Sequence, residues 1–322
     1  MVMQSSHSST IRICSSVCSS QPALHLTPKS WCSLPAEAPA YYVSAAYWDR
    51  DSLLWSFPAI LDADPERAKE MLSYVFGRQR RNFGIHSRYI DGTVLEPGFE
   101  LDELVAPLLA LERYINKTDD KSILSDPDIV QGISLILNHL RQHEAASCRL
   151  YDTFLQPTDD EHVYPYITYD NVLVWKALKD LAQLAPQYAH LEKTASEIKD
   201  AIMTHCVQKD AAGKPYFGWS IDLNGSHDVY DEPPGSLQLL PFFDFCSPND
   251  EIYRNTVAMI RSPEYKYSFA NSPINEIGCP HAPHPWILSL ANSLLCGRVE
   301  HCRAILEKSL WTMASHAKAL MK

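Results

Sequence analysis

Tyr41-Tyr42-Val43-Ser44-Ala45-Ala46-Tyr47-Trp48-Asp49-Arg50-Asp51-Ser52-Leu53-Leu54-Trp55 is an aromatic run that ends in Trp-Asp-Arg-Asp and leads straight into an apolar helical pattern. Aromatic rings pack on the C–H faces of a sugar, while a carboxylate and a guanidinium exchange paired hydrogen bonds with adjacent hydroxyls. Tyr47, Trp48, Arg50 and Asp51 are therefore candidate substrate-binding residues. Taken alone, the tetrapeptide also reads as a helix start, with Asp49 or Asp51 as N-cap. The rest of the chain decides between the two.

From Tyr41 onward the hydrophobic pattern is helical almost everywhere, with little sustained period-two alternation. The first helix begins near Asp51, carries Leu53, Phe57 and Ile60 on one face, and is kinked at Pro58. Asp64-Pro65 and Asp126-Pro127 are N-cap and N1-proline pairs that open the second and fourth helices. The third runs from about Leu101, with Leu104, Val105, Leu108 and Leu111 in register. Further helices follow Asp170, Leu191, Gly235-Ser236 (through Phe245), Pro248-Asn249-Asp250, His284-Pro285-Trp286 and Val299. Every second helix is entered through a loop of aromatic, acidic or histidine residues: the opening stretch, Glu96–Glu103, Tyr164–Asp170, Asp228–Pro234 and His281–Trp286. The others are entered through short Pro/Asp turns. This alternation predicts an all-α array of helical hairpins whose functional loops gather at one end.

The formal charge of −11 argues against nucleic-acid or anionic-membrane partners, which demand a basic surface. No apolar run reaches the roughly 18 residues of a membrane-spanning helix. Nine scattered cysteines fit a reducing, cytoplasmic setting better than a disulfide framework. Residues 1–40 are expected to be a disordered leader: the first 36 hold ten serines and no acidic residue. One domain is expected over 41–322. Cys279, His281 and His284 match no standard zinc spacing, so neither a metal nor another cofactor is expected.

On these blocks the chain resembles the six-hairpin, (α/α)6-barrel glycosidases, especially glucoamylase-like enzymes and the metal-independent exo-α-mannosidases of glycoside hydrolase family 125. Trp48-Asp-Arg-Asp looks like their terminal-sugar grip, and Glu100-Leu-Asp-Glu-Leu104 like their second inner-helix start. Tyr169-Asp170-Asn171 stands where these families place the general acid, and His284-Pro-Trp286 resembles their fifth inner-helix entry. The resemblance implies metal-independent, inverting, exo-acting hydrolysis of an α-linked sugar, α-mannoside first and α-glucoside next. Ten helices are counted where the barrel has twelve; the first outer and last inner helix are expected to be missing. No carboxylate follows Glu307, near where such families keep the general base. Two alternatives follow: an inactive, carbohydrate-binding relative, or a glycoside phosphorylase. The uncovered first and last hairpins also imply self-association through an open seam.

Inverting hydrolysis needs a protonated carboxyl and an ionised one across the scissile bond. Asp170 is the candidate acid, set between Tyr169 and a Val/Leu/Trp helix; as an N-cap it would serve structure alone. Asp102 and Glu103 lie in a first helical turn, where they complement the dipole, and are candidate pocket residues. Asp231 and Glu232 precede a rigid Pro-Pro pair; both are candidate site residues, and Glu232 is the substitute base. His284 and Trp286 are candidates for a pocket wall.

Overall fold

The computed structural model describes residues 46–308. The Ser-rich leader, Tyr41-Tyr42 and the chain beyond residue 308 lie outside them, together with the expectations placed there on missing helices. Of the hairpins expected to form an uncovered seam, the first buries Leu53 and Phe57, and the last buries Cys302 while Val299 and Leu306 are exposed. The chain forms two compact units. One comprises residues up to Leu155 together with Leu173–Lys199, the other Gln156–Val172 and the residues from Asp200 on.

Helices dominate the first unit, and their starts are those the caps predict. Asp64 accepts from the Arg67 amide at 3.1 Å and opens α2 (Pro65–Arg78). Asp126 accepts from the Asp128 amide at 2.8 Å and opens α4 (Pro127–Gln142). α3 (Leu101–Thr118) is almost wholly buried and packs with both. Gly132 makes the α2–α4 contact close: a Cβ there would lie 2.4 Å from the Phe76 ring.

The first helix departs from the regular one expected. Arg50–Ser56 is a π-helical turn, in which the Phe57 amide bonds Ser52 O five residues back, and α1 proper is Phe57–Ala63. Pro58 explains the disturbance: it has no N–H to give Leu54, whose carbonyl is met instead by Arg113 Nη1 at 3.5 Å.

A second departure is a hairpin. β2 (Ile85–Tyr89) pairs antiparallel with β3 (Val94–Phe99) and also with β1 (Ala46–Tyr47), giving the order β1-β2-β3. Tyr47 faces Arg88 in this register, and Ser87 faces Glu96. Asp91-Gly92 makes the turn, with Gly92 at φ 86° and Asp91 Oδ1 accepting from the Thr93 amide. The hairpin leads directly into α3.

α5 (Thr168–Leu184) begins in the second unit, after β4 (Tyr166–Ile167) pairs with β7 (Ser220–Ile221). α6 (Leu191–Ala201) continues as a π-helical turn to Cys206, followed by the hairpin of β5 (Val207–Lys209) and β6 (Pro215–Phe217). α7 (Glu251–Ile260) packs on β6, and α8 (Ile287–Leu295) packs on the turns before it; helix 299–308 follows. The helix expected from Gly235 through Phe245 is replaced by two 3-10 turns, Pro233–Gly235 and Leu237–Leu239, and irregular turns after them. Pro241 lies inside that stretch and has no amide to give Leu237, and the chain turns irregularly after Leu239.

Candidate active site

In the first unit the Trp-Asp-Arg-Asp stretch is held by the carboxylates that open α3. Glu103 accepts the backbone N–H of Asp49 on one oxygen and that of Arg50 on the other, the latter at 3.0 Å. Asp102 takes Arg50 Nε at 2.5 Å and Nη2 at 2.9 Å, a bidentate fork, and Glu100 takes Nη2 at 2.6 Å. Arg88, from β2, donates to Asp49, whose other oxygen accepts the Tyr47 hydroxyl at 2.8 Å. The Arg88 guanidinium lies over the Tyr47 ring, 5.2 Å from its centre. His86 stands between Glu100 and Glu96, at 3.1 and 3.3 Å, with Trp48 edge-on at 6.0 Å.

Every charged group at the centre of this network is at most 1% exposed. Asp49, Glu100, Asp102 and Glu103 outnumber the two guanidiniums, and the imbalance appears in the ionisation of its members. Burial pushes the Glu103 carboxyl well above its ordinary pKa against the pull of Arg50, and raises Asp49 against that of Arg88. Burial would lower the Arg50 guanidinium, but Asp102 and Glu100 outweigh it and raise it instead. The arrangement is a buried, acid-rich network with the Tyr47 and Trp48 rings packed against it. Asp51, the remaining candidate of the stretch, is half-buried.

The second unit carries the other candidates. Asp170 is fully buried in the first turn of α5. Its flanks are fixed: Thr168 N donates to Trp219 O at 2.8 Å, Thr168 Oγ1 to Gly218 O at 2.6 Å, and Asn171 Nδ2 to Ile167 O at 2.9 Å. Tyr169 packs edge-on against Phe243. Glu232 is buried too, and its Oε2 accepts from Thr158 Oγ1 at 2.7 Å and from the Tyr230 hydroxyl at 3.0 Å. Burial and the neighbouring Glu232 drive the Tyr230 pKa upward, so this hydroxyl stays a donor. Trp219 lies edge-on to Tyr230 at 5.3 Å.

Asp231 turns to the backbone: it accepts from Ser236 Oγ and from the Leu237 amide, each at 2.7 Å. Burial raises its pKa to about 7, against those two bonds. His284 is exposed, and Trp286 is half-buried with its indole N–H on Ala282 O at 2.9 Å. Behind them stands a cluster the sequence reading did not single out. Buried Glu276 accepts from Arg261 Nη1 (3.1 Å), Ser289 Oγ (2.6 Å) and Ser293 Oγ (2.8 Å), and meets His301 Nε2 at 2.7 Å. These donors lower the Glu276 pKa against the effect of burial.

The sequence reading missed Arg88 and His86 because it saw no strand; Asp91-Gly92 between the alternating Ile85–Tyr89 and Val94 was the available signal. Glu100 and Asp49 lay inside quoted motifs and were read as loop and cap.

Residues 143–318, more than half of the chain and including Asp170, Glu232 and His284, match the family model for metal-independent alpha-mannosidase (GH125). The chain belongs to this glycoside hydrolase family. Among curated proteins it is 30% identical over 155 residues to the meiotically up-regulated gene 157 protein of Schizosaccharomyces pombe, a match that covers 45% of this chain and 30% of that protein. It therefore spans under a third of that relative's length. Among solved structures it is similar to a metal-independent α-mannosidase from Streptococcus pneumoniae in a non-productive complex with α-1,6-mannobiose. The TM-score is 0.74 at 18% identity, over 82% of this chain and 76% of that one. A bacterial glucoamylase complexed with acarbose follows at TM-score 0.53 and 14% identity, over 68% and 33%. The fold of this GH125 chain is thus the (α/α)6 helical-hairpin fold of the six-hairpin glycosidases. Among the described residues, no helix is long and apolar enough to cross a membrane.

Proposed function

We propose that the protein removes a terminal α-linked mannose from a glycoside by metal-independent acid/base hydrolysis with inversion. The observation that carries this reading is Asp170: a fully buried carboxyl, fixed by its neighbours at a helix start, inside the stretch that matches the mannosidase family. As general acid it would give its proton to the glycosidic oxygen while the C1–O bond breaks. A water oxygen would bond to C1 from the opposite face and lose its proton to a carboxylate base. Glu232 is the candidate base: two hydroxyl donors grip one of its oxygens and suit an anion there. Arg50, Asp102 and Glu103, with Tyr47, Trp48 and Asp51, are the candidate terminal-sugar grip; His284 and Trp286 are candidate wall residues, and Asp231 supports the turn beside Glu232. A cytoplasmic location accords with the free cysteines, and a carbohydrate substrate with the family.

The test is release of sugar from aryl α-mannosides and α-glucosides, with and without chelator and phosphate, the anomer being read by NMR. The expected result is β-mannose, unaffected by chelator or phosphate. Asp170→Asn should lower the rate by about 10²- to 10⁴-fold, the usual worth of a general acid. Retention of configuration, a strict metal requirement or an unchanged Asp170→Asn rate would overturn it.

A further inference from the structure

We propose that Gln156 is a positioning residue for the base: its amide sets the direction of the Thr158 and Tyr230 hydroxyls, so that both donate to Glu232. This rests on the functional reading of Glu232 above and adds a residue which that reading does not use.

Four side chains of the second unit close a ring of hydrogen bonds. Gln156 Nε2 donates to Thr158 Oγ1 at 3.1 Å and to the Tyr230 hydroxyl at 3.5 Å. Those hydroxyls donate in turn to one carboxylate oxygen, Glu232 Oε2, at 2.7 and 3.0 Å. A hydroxyl has one proton and two lone pairs, an ionised carboxylate only accepts, and an amide nitrogen only donates. Set between the last two, each hydroxyl has one way to lie, with a lone pair to Gln156 and its proton to Glu232. A hydroxyl that receives a hydrogen bond is also a stronger donor, so the amide strengthens the grip that it directs. The Thr158 side is the shorter and carries the larger share.

The backbone brings these groups together. Gln156-Pro157-Thr158-Asp159 is a tight turn: Asp159 N donates to Gln156 O at 2.8 Å, Gln156 N donates to Asp160 O at 2.9 Å, and Asp159 is left-handed at φ 67°. Pro157 rests against Gly235, where a Cβ would lie 2.5 Å from the Pro157 ring, so this turn is seated on the one that follows Glu232. Trp219 and Tyr267 hold the Tyr230 ring edge-on, at 5.3 and 6.1 Å. Gln156, Thr158 and Glu232 are all buried, so bulk water does not compete for the hydroxyls. The titratable groups that sense Glu232 bring no charge of their own. Burial is the first cause that raises Tyr230 and Tyr265, and it pushes the Cys279 thiol up to about 11.

The experiment is a double-mutant cycle on the full chain: wild type, Gln156→Met, Thr158→Val with Tyr230→Phe, and all three substitutions together. It reads the Glu232 carboxyl pKa by carbon NMR, assigned with Glu232→Gln, and the pH profile of kcat and KM on an aryl α-mannoside. Gln156→Met should raise the Glu232 pKa by about half a pH unit, and loss of both hydroxyls by about one unit or more. Gln156→Met should add nothing once the hydroxyls are gone. The acid limb of kcat should move with the carboxyl, at unchanged KM. Thr158→Ser keeps the hydroxyl and should titrate like wild type, whereas Thr158→Val alone should not. An unmoved Glu232 pKa in Gln156→Met, shifts that simply add, or equal behaviour of the Ser and Val variants would overturn the positioning role. A carboxyl that shifts as expected while the acid limb stays put would keep the proton order and remove Glu232 as the base.

Discussion

The two buried charge clusters solve opposite problems. Around Arg50 and Arg88 four carboxylates compete for two guanidiniums; around Glu276 one carboxylate collects an arginine, two serine hydroxyls and a histidine. Acceptors are in surplus in the first, donors in the second. The ionisation follows: Glu103 and Asp49 are pushed up, Glu276 is pulled down. Glu276 is also less deeply buried than Glu103 or Asp49, so its donors outweigh a smaller desolvation. A cluster with surplus acceptors still has something to offer a ligand rich in hydroxyl donors. One with surplus donors is saturated and serves as a clamp joining α7, α8 and helix 299–308.

Taking a cation from the acid-rich cluster is the harshest way to test that contrast. Arg50→Met should cost about 5 kcal/mol or more, since it leaves Glu100 and Asp102 buried without their counter-charge. Denaturant titration reads it directly, and a loss under 2 kcal/mol would show the carboxylates already neutral. Next in size is a carboxylate with donors but no cation bonded to it. Asp231 has a folded pKa of about 7, raised above its unfolded value. The folded state then binds the extra proton between about pH 4 and 7, and stability falls as pH rises through that window, by about 4 kcal/mol from this group. Asp231→Asn removes the titration, so the wild-type minus variant stability should be level below about pH 4, fall by about 4 kcal/mol between about pH 4 and 7 and be level again above: a constant offset across pH would refute the assignment.

The donor-rich cluster should yield less. Glu276→Gln removes the charge but keeps the shape, at a cost of about 2 kcal/mol. The loss should shrink as pH falls through the folded pKa, because the lowered pKa means that acid already erodes the wild-type contribution. Smallest of all, Ser293→Ala leaves Glu276 with Arg261, Ser289 and His301, and should cost about 1 kcal/mol. A Ser293→Ala penalty equal to that of Arg50→Met would abolish the distinction between the clusters.

Helices were legible because their signals are local. Asp64-Pro65, Asp126-Pro127 and Asp250 announce starts within three residues of the bonds they make. The stretch from Gly235 through Phe245 was misread as a helix because its apolar content outweighed the missing donor of Pro241. Within the candidate site, Arg50, Asp102 and Glu103 were visible through their motifs. Their mutual bonding was not, since it joins residues about fifty positions apart. Arg88 was hidden twice, on an unrecognised strand and with a distant partner.

That separation in the chain has a kinetic meaning. Glu103 receives the two consecutive amides of Asp49 and Arg50 only once the opening turn and α3 have docked. A half-assembled version would hold naked charge in an apolar setting, so the bonds belong to the last step of folding rather than its nucleus. Substitutions of Glu103 should then quicken unfolding and leave the folding rate nearly untouched. The Arg50–Glu103 network would set how long the native state lasts, not how fast it forms.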